Sequence, residues 1–206
     1  MPLEQWLSLA SFVLVMVGTP GPNNLMLMAS GVNFGVQRSL PHLSGVAFGC
    51  QILLVVAALG LGQLMALHPA ANTVMQVLSA LFLCYMAWLL VASRPEPQDS
   101  ARGEGGQDAR AAHPMSFWQA TLFQWVNPKA WLITTVLVAT YTDPAQMLES
   151  TARASLAFLV VGTPLLFFWN AAGQLLQQWI REGRRLLWFN RSMAVLLLGS
   201  LYPLVA

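Results

Sequence analysis

Apolar residues run along this chain in six long blocks, at roughly 6–31, 39–66, 70–92, 116–142, 150–178 and 186–205, separated by polar stretches. A helix needs about 20 mostly apolar residues to cross a bilayer. The pattern therefore predicts six spanning helices, several with spare length that permits tilt or kinks. Two blocks are interrupted near their middle. The first carries Thr19-Pro20-Gly21-Pro22-Asn23-Asn24 and the fourth carries Asn127-Pro128-Lys129. Proline removes a backbone donor and frees the carbonyl one turn before it. Lipid cannot satisfy such groups, so broken backbone at membrane depth survives only where it is buried in protein or lines a wet cavity. A pair of interrupted spans in matching places of two half-chains points to the binding site of a transporter.

Composition agrees with an integral membrane protein. The chain is 56% hydrophobic and only 9% charged, against about 25% charged for a soluble domain. The net charge of +2 gives no basic surface for nucleic acid. The two cysteines, Cys50 and Cys84, lie in separate apolar blocks, outside any CxxC or metal-ligand pattern, and are expected to be small buried hydrophobes. The first block lacks a basic leader and a small-residue cleavage site, so it is expected to be a retained helix.

One stretch differs in kind. Residues 94–115 are polar, rich in Pro and Gly and mixed in charge, which predicts a flexible linker between two three-helix halves, 1–93 and 116–206. Arginine placement predicts the orientation. Arg38, Arg94, Arg102, Arg110, Arg181, Arg184, Arg185 and Arg191 fall on one side of the alternating blocks, and Arg153 alone falls on the other. By the positive-inside rule the linker side is cytoplasmic and both termini lie outside. An odd number of spans per half makes the second half enter the membrane the opposite way, as an inverted-topology repeat. A shift of about 108 residues lays the first break on the second and block two on block five.

The breaks carry the candidate chemistry. Pro20 and Pro22 are expected to unwind a turn, so that a half-helix restarts near Asn23 or Asn24 with asparagine as its N-cap. Its free amides and positive dipole end suit a carboxylate, and the carbonyls freed before the prolines suit an ammonium. Lys129 is the single charged residue deep in any block, at an insertion cost of about 2.5–3.5 kcal/mol that argues for a purpose such as pairing with a substrate carboxylate. Gln124 and Asn127, one turn and less before it, add neutral hydrogen-bonding groups. The candidate substrate-binding set is therefore Thr19, Pro20, Gly21, Pro22, Asn23, Asn24, Gln124, Asn127, Pro128 and Lys129, together with Asn170 of block five.

Other polar positions read as structural. Gly162-Thr163-Pro164 is either a hinge or cavity wall, or plain packing. Gln51, Gln76 and Ser79 suit interhelical hydrogen bonds, and Gly45 and Gly49 form a GxxxG that lets a neighbour approach, within the chain or across a homodimer. Trp118, Trp125, Trp131, Trp169, Trp179 and Trp188 are expected at headgroup level or on lipid faces. His42, His68 and His113 are expected at span ends or in loops, as ordinary surface residues. No block contains Asp or Glu, the usual intramembrane proton relay. No Walker motif, nucleophile–base set or metal cluster is visible, so neither an enzyme nor a cofactor is expected.

At Gly18 to Asn24 the sequence resembles the LysE/RhtB family of amino-acid exporters, and Ser116-Phe117-Trp118 through Asn127-Pro128-Lys129-Ala130 looks like that family's second signature segment. The likeness extends over the six blocks and the polar central stretch. It implies a bacterial inner-membrane protein that exports amino acids or close derivatives, driven by the proton-motive force. Where many relatives carry Asp, this chain carries Asn23, which removes a carboxylate from that position. The Pro-Asn-Asn form looks most like the cysteine/O-acetylserine exporter branch. Two other classes stay open: a membrane thiol–disulfide electron carrier of related fold, which would need its cysteines to meet, and a non-transporting membrane subunit.

Overall fold

The structure is a computed structural model that describes residues 2–60, 69–92, 113–180 and 183–202. Among these residues every regular element is helical. In chain order they are α1 (Leu3–Gly18), α2 (Pro22–Ala58), α3 (Pro69–Ala92), α4 (Phe117–Val126), α5 (Pro128–Tyr141), a 3-10 turn (Pro144–Gln146), α6 (Met147–Ala157), a π-helical turn (Phe158–Gly162), α7 (Thr163–Ile180) and α8 (Gly183–Gly199). The linker residues 94–112, with Arg94, Arg102 and Arg110, and also His68 and Arg181, lie outside the described residues.

Three segments are long and apolar enough to cross a membrane by length and composition: Pro22–Ala58, Thr73–Ala92 and Pro144–Ile180. The first and fourth apolar blocks fall short as single helices because each is cut by its prolines, giving 16 residues in α1, 10 in α4 and 14 in α5. Large apolar side chains such as Leu14, Leu81, Trp88, Phe168 and Leu196 point outward, as lipid contact requires.

The α2 helix is too long to be one span. Its 37 residues would extend about 55 Å at about 1.5 Å per residue, against a hydrocarbon core of about 30 Å. The chain turns at Gly35, where φ is 77° and ψ 168°. That region favours glycine, which has no Cβ to clash. Ser30 Oγ and His42 Nδ1 are 2.9 Å apart across this corner. In a straight helix, residues twelve apart are separated by about 18 Å. The two parts of α2 therefore double back on each other, and the Gln174 side chain of α7 accepts from the Val36 amide exposed at the corner. The sequence pattern placed a polar loop with Arg38 here. The structure replaces it with a single-glycine corner, and Arg38 sits exposed in the second part of α2 with its guanidinium over the Phe34 ring.

Close helix contacts depend on glycine. A Cβ on Gly31 of α2 would overlap the Asn170 carbonyl oxygen of α7, and one on Gly173 of α7 would overlap the Met28 carbonyl oxygen of α2. The two backbones thus touch reciprocally. Further along α2, Gly45 abuts the Phe117 carbonyl oxygen, and Gly49 lies where a Cβ would be 2.7 Å from Gln124 Cγ and 2.8 Å from Thr121 O. The GxxxG face is spent within the chain, on α4, where Thr121 Oγ1 also donates to Gly45 O at 3.1 Å. The proline in the fifth block breaks nothing. The helix widens into a π turn ahead of Pro164 and absorbs the missing amide. The α3 helix packs on α8, and the central core runs through Leu9, Val13, Leu27, Val46, Phe123, Leu137, Phe158 and Leu197.

Several expected surface positions are interior. His42 is buried in α2, because the corner at Gly35 lies earlier than the block boundary that placed it at a span end. Trp131 is buried too, its Nε1 donating to Trp125 O at 2.9 Å, while Trp118, Trp179 and Trp188 are exposed. Cys84 is the reverse case: it faces outward from α3 rather than into the core.

Candidate functional site

The first break is an unwound stretch between α1 and α2. Thr19 and Gly21 are extended, and α2 starts at Pro22 with Gly21 as N-cap and no side-chain cap. Asparagine does not cap the new helix, as the sequence suggested. Asn24 turns back instead, and its Nδ2 donates to Val17 O at 2.7 Å and Thr19 O at 2.8 Å. It closes the C-terminal end of α1, whose last carbonyls have no helical partner. Thr19 Oγ1 does the same for Met16 O, at 3.0 Å.

The second break is shorter. A capping box starts α4, with Ser116 Oγ accepting from the Gln119 amide and Gln119 Oε1 accepting from the Ser116 amide. Pro128 then ends the ladder, and Asn127 is the N-cap of α5, its Oδ1 accepting from the Lys129 amide at 3.1 Å. The Val126 carbonyl at the end of α4 accepts from Ser79 Oγ of α3. Each break thus has its orphaned carbonyls answered by side chains, one from its own chain segment and one from a neighbouring helix.

Two bridges join the breaks. The Lys129 ammonium donates to Thr19 O at 2.6 Å, to Thr19 Oγ1 at 3.0 Å and to Pro20 O at 3.4 Å. All three acceptors are neutral. Among the described residues the one salt bridge is Arg153–Glu149, on α6, so no described carboxylate balances Lys129. The second bridge is a reciprocal amide pair. Asn23 Nδ2 donates to Gln124 Oε1 at 2.9 Å, and Gln124 Nε2 returns a bond to Asn23 Oδ1 at 3.1 Å. Gln124 is fully buried, bonds its own helix at Ala120 O, and also receives longer contacts from Asn127 Nδ2 at 3.4 Å and Cys50 Sγ at 3.6 Å.

These groups edge a small cleft lined by Gly21, Asn23, Asn24, Cys50, Asn127, Lys129 and Thr134 together with the apolar Met16, Val17, Ala130, Ile133, Phe158 and Leu166. The open space within it is about 30 Å³. That holds a water or two and is too small for an amino acid. Thr19 and Pro20 are exposed and Lys129 is half-buried, so the ammonium cluster sits at the accessible edge of the cleft.

The structure brings together Thr19, Pro20, Gly21, Pro22, Asn23, Asn24, Gln124, Asn127, Pro128 and Lys129. It leaves Asn170 elsewhere. That side chain is fully buried between α7 and α2, where its Nδ2 donates to Leu27 O at 2.8 Å, away from the cleft. Several lining residues escaped the sequence reading, among them Cys50 of α2, Thr134 of α5 and Phe158 of the π turn. Pro164 was the available signal for Phe158; no spacing singled out Cys50 or Thr134. Among the described residues there is no cluster of three or more His, Cys, Asp or Glu side chains able to hold a metal ion.

A family described as LysE type translocator matches residues 14–200. A cysteine/O-acetylserine efflux protein of Escherichia coli O139:H28 (strain E24377A / ETEC) is 29% identical over 190 residues, covering 91% of this chain and 91% of that protein. Proteins of the same description from Escherichia coli (strain K12) and Shigella sonnei (strain Ss046) are 29% identical over 189 residues, covering 91% of this chain and 90% of theirs. No solved structure matches significantly.

Proposed function

The chain belongs to the LysE type translocators, a family of transporters and not of enzymes, and from that premise we propose that it exports a small amino acid or close derivative. The efflux of cysteine and O-acetylserine named for its relatives gives the substrate class. The observation that carries this reading is the convergence of the two breaks. Thr19 and Lys129 are 110 residues apart in sequence, yet the lysine ammonium lies 2.6 Å from the threonine carbonyl beside a small cleft that both breaks help to line. A zwitterion needs a carbonyl-rich place for its ammonium and a cation for its carboxylate. The unwound turn offers the first and Lys129 the second.

The same reading gives the membrane arrangement. α1 with the first part of α2 forms one span, the second part of α2 the next, and α3 the third. α4 with α5, α6 with α7, and α8 repeat that order. Matching contacts support an inverted repeat: the first part of α2 packs on α7, and α5 packs on the second part of α2 through Ala130, Trp131 and Leu53. The arginine bias puts both termini outside a bacterial inner membrane. Coupling to the proton-motive force fits an exporter that works against a gradient. A homodimer would need a face other than the GxxxG, which α4 covers.

The thiol–disulfide alternative is disfavoured by the cysteines. Cys50 is buried on α2, Cys84 is exposed on α3, and both are free.

Flux from reconstituted vesicles against a panel of amino acids tests the proposal. Lys129→Met keeps length and apolar volume and removes a charge that is costly to insert. It is expected to accumulate normally and lose efflux. Wild-type efflux by that variant would make Lys129 a structural residue and leave the reading without its cation.

A further inference from the structure

We propose that Thr19 O, Thr19 Oγ1 and Pro20 O form the binding site for the α-ammonium of the substrate, and that Lys129 fills this site as a tethered copy of that group until substrate displaces it. The inference rests on the export reading and deepens it.

The argument starts from the acceptors. Thr19 O and Pro20 O stand in the unwound turn between α1 and α2, outside any helical ladder, because Thr19 and Gly21 are extended; Thr19 O also accepts from Asn24 Nδ2 at 2.8 Å, which leaves its second lone pair for an ammonium. Thr19 Oγ1 completes a three-point crown. A lysine side chain and a free amino acid end in the same chemical group, a primary ammonium with three donors and no acceptor. The crown meets Lys129 with one acceptor per donor, at 2.6, 3.0 and 3.4 Å. Nothing in it distinguishes the two ammonium groups except the chain to which each is attached.

Charge and space favour an exchange over a permanent tie. Lys129 has no carboxylate partner among the described residues, so the pair of breaks carries one uncompensated positive charge. A zwitterion that puts its ammonium on the crown keeps that charge in place. It also brings a carboxylate, with which the released lysine can pair. The stem of Lys129 lies against Gly21, where a Cβ would come 2.8 Å from its Cδ and 3.0 Å from its Nζ. The lysine therefore occupies the space beside the unwound turn, next to a cleft with only about 30 Å³ free. Withdrawing the stem enlarges the cleft at the point where the substrate's ammonium must arrive. Binding then requires both ends of the zwitterion. An amine without a carboxylate frees Lys129 but leaves it unpaired, and an acid without an amine leaves the crown to the lysine.

Lys129 is the only lysine in the chain, so selective ¹⁵N labelling of lysine Nζ gives one resonance from the exchange site. The full chain, purified in nanodiscs, is titrated with L-cysteine, L-cysteine methyl ester and N-acetyl-L-cysteine while calorimetry follows binding. The expected result is that L-cysteine moves the Nζ resonance on binding, and that the wild-type chain prefers it to the methyl ester by about tenfold or more, the scale of one lost charge-assisted contact. In Lys129→Met the preference should fall to about threefold or less, with the ester bound as well as or better than by the wild type. Should that variant not fold, Thr19→Val removes one acceptor and is expected to weaken L-cysteine and the ester alike. An unmoved lysine resonance while L-cysteine binds would overturn the assignment and leave the export reading standing. So would a resonance moved equally by N-acetyl-L-cysteine, or a folded Lys129→Met variant that loses the ester. If the wild-type chain binds none of the three, the cysteine-like substrate class fails and the assignment with it.

Discussion

Replacing Asn23 and Gln124 by leucine, singly and together, measures how firmly the two broken helices are tied. The pair exchanges two hydrogen bonds, at 2.9 and 3.1 Å, between positions 101 residues apart. Interhelical hydrogen bonds in membrane proteins average about 0.6 kcal/mol and reach about 1.7 kcal/mol by double-mutant cycles. Two such bonds give a coupling of about 1.2 kcal/mol, with a ceiling near about 3.4 kcal/mol. Each single variant should cost about 1–3 kcal/mol, because each leaves polar atoms unpaired in or beside the protein interior. Asn23→Leu strands Gln124, which is fully buried and keeps only the long contacts from Asn127 and Cys50 on its oxygen. Gln124→Leu strands Asn23, which is half-buried at the cleft and can take up water. The double variant removes both partners and should cost less than the sum of the singles by the coupling energy. Reversible unfolding of the detergent-solubilised protein provides the four stabilities. Independent sites add within about 0.3–0.5 kcal/mol. A coupling inside that band would mean that the amides do not hold the breaks together, and the convergence would have to rest on Lys129 alone.

Three further outcomes are expected. Gly31→Ala or Gly173→Ala puts a methyl into a backbone carbonyl of the facing helix and should destabilise at or beyond the about 3 kcal/mol upper end for overpacking, read as a fall in the unfolding midpoint; a loss below about 0.5 kcal/mol would deny the α2–α7 contact. Ser30→Ala should cost about 1–3 kcal/mol, since it leaves both ring nitrogens of buried His42 unpartnered, whereas His42→Leu removes an already unpaired Nε2 and should cost less; the reverse order would refute the pairing. Reporter fusions after Arg102 and at the C-terminus should report opposite sides of the membrane, and finding them on one side would sink the six-span arrangement.

The breaks and their partners were legible in the sequence because proline acts locally. Pro20, Pro22 and Pro128 remove donors wherever the chain goes, so the interruption of α1–α2 and of α4–α5 follows from composition alone. Lys129 was legible for a similar reason: a single cation in an apolar block has few tolerable destinations. What stayed hidden depends on helix rotation and on corners. The polar run Gln37-Arg38-Ser39 marked an interruption, but the reversal itself turns on Gly35 and the helix resumes through those residues, so the expected boundary fell too late and His42 was misplaced with it. Cys50 and Cys84 look alike in sequence, yet one lines the cleft and the other faces outward, because the rotation of each helix decides which of its faces meets a neighbour. Asn170 resembles the asparagines of the breaks, but its Nδ2 meets the Leu27 carbonyl of α2 and it does not line the cleft.

Under the proposed inverted repeat the two breaks correspond, yet they are chemically unlike, and on the export reading that difference would give the site its direction. The first has two prolines and a glycine, so it stays unwound from Thr19 to Gly21 and presents the Thr19 and Pro20 carbonyl oxygens to the Lys129 ammonium. The second has one proline and an N-capping asparagine, so α5 restarts at once and the residue that follows can project a side chain. Acceptors come from one half of the chain and a cation from the other. A symmetric pair would repeat one kind of group twice: two unwound turns would offer carbonyls with no cation for a carboxylate, and two lysines would repel each other and any incoming ammonium. On the export reading, one of each would give a zwitterion a defined orientation, its ammonium toward α1 and its carboxylate toward α5. Transport then requires the halves to move relative to each other while that orientation is kept, and the Asn23–Gln124 pair is the contact that would have to yield or pivot.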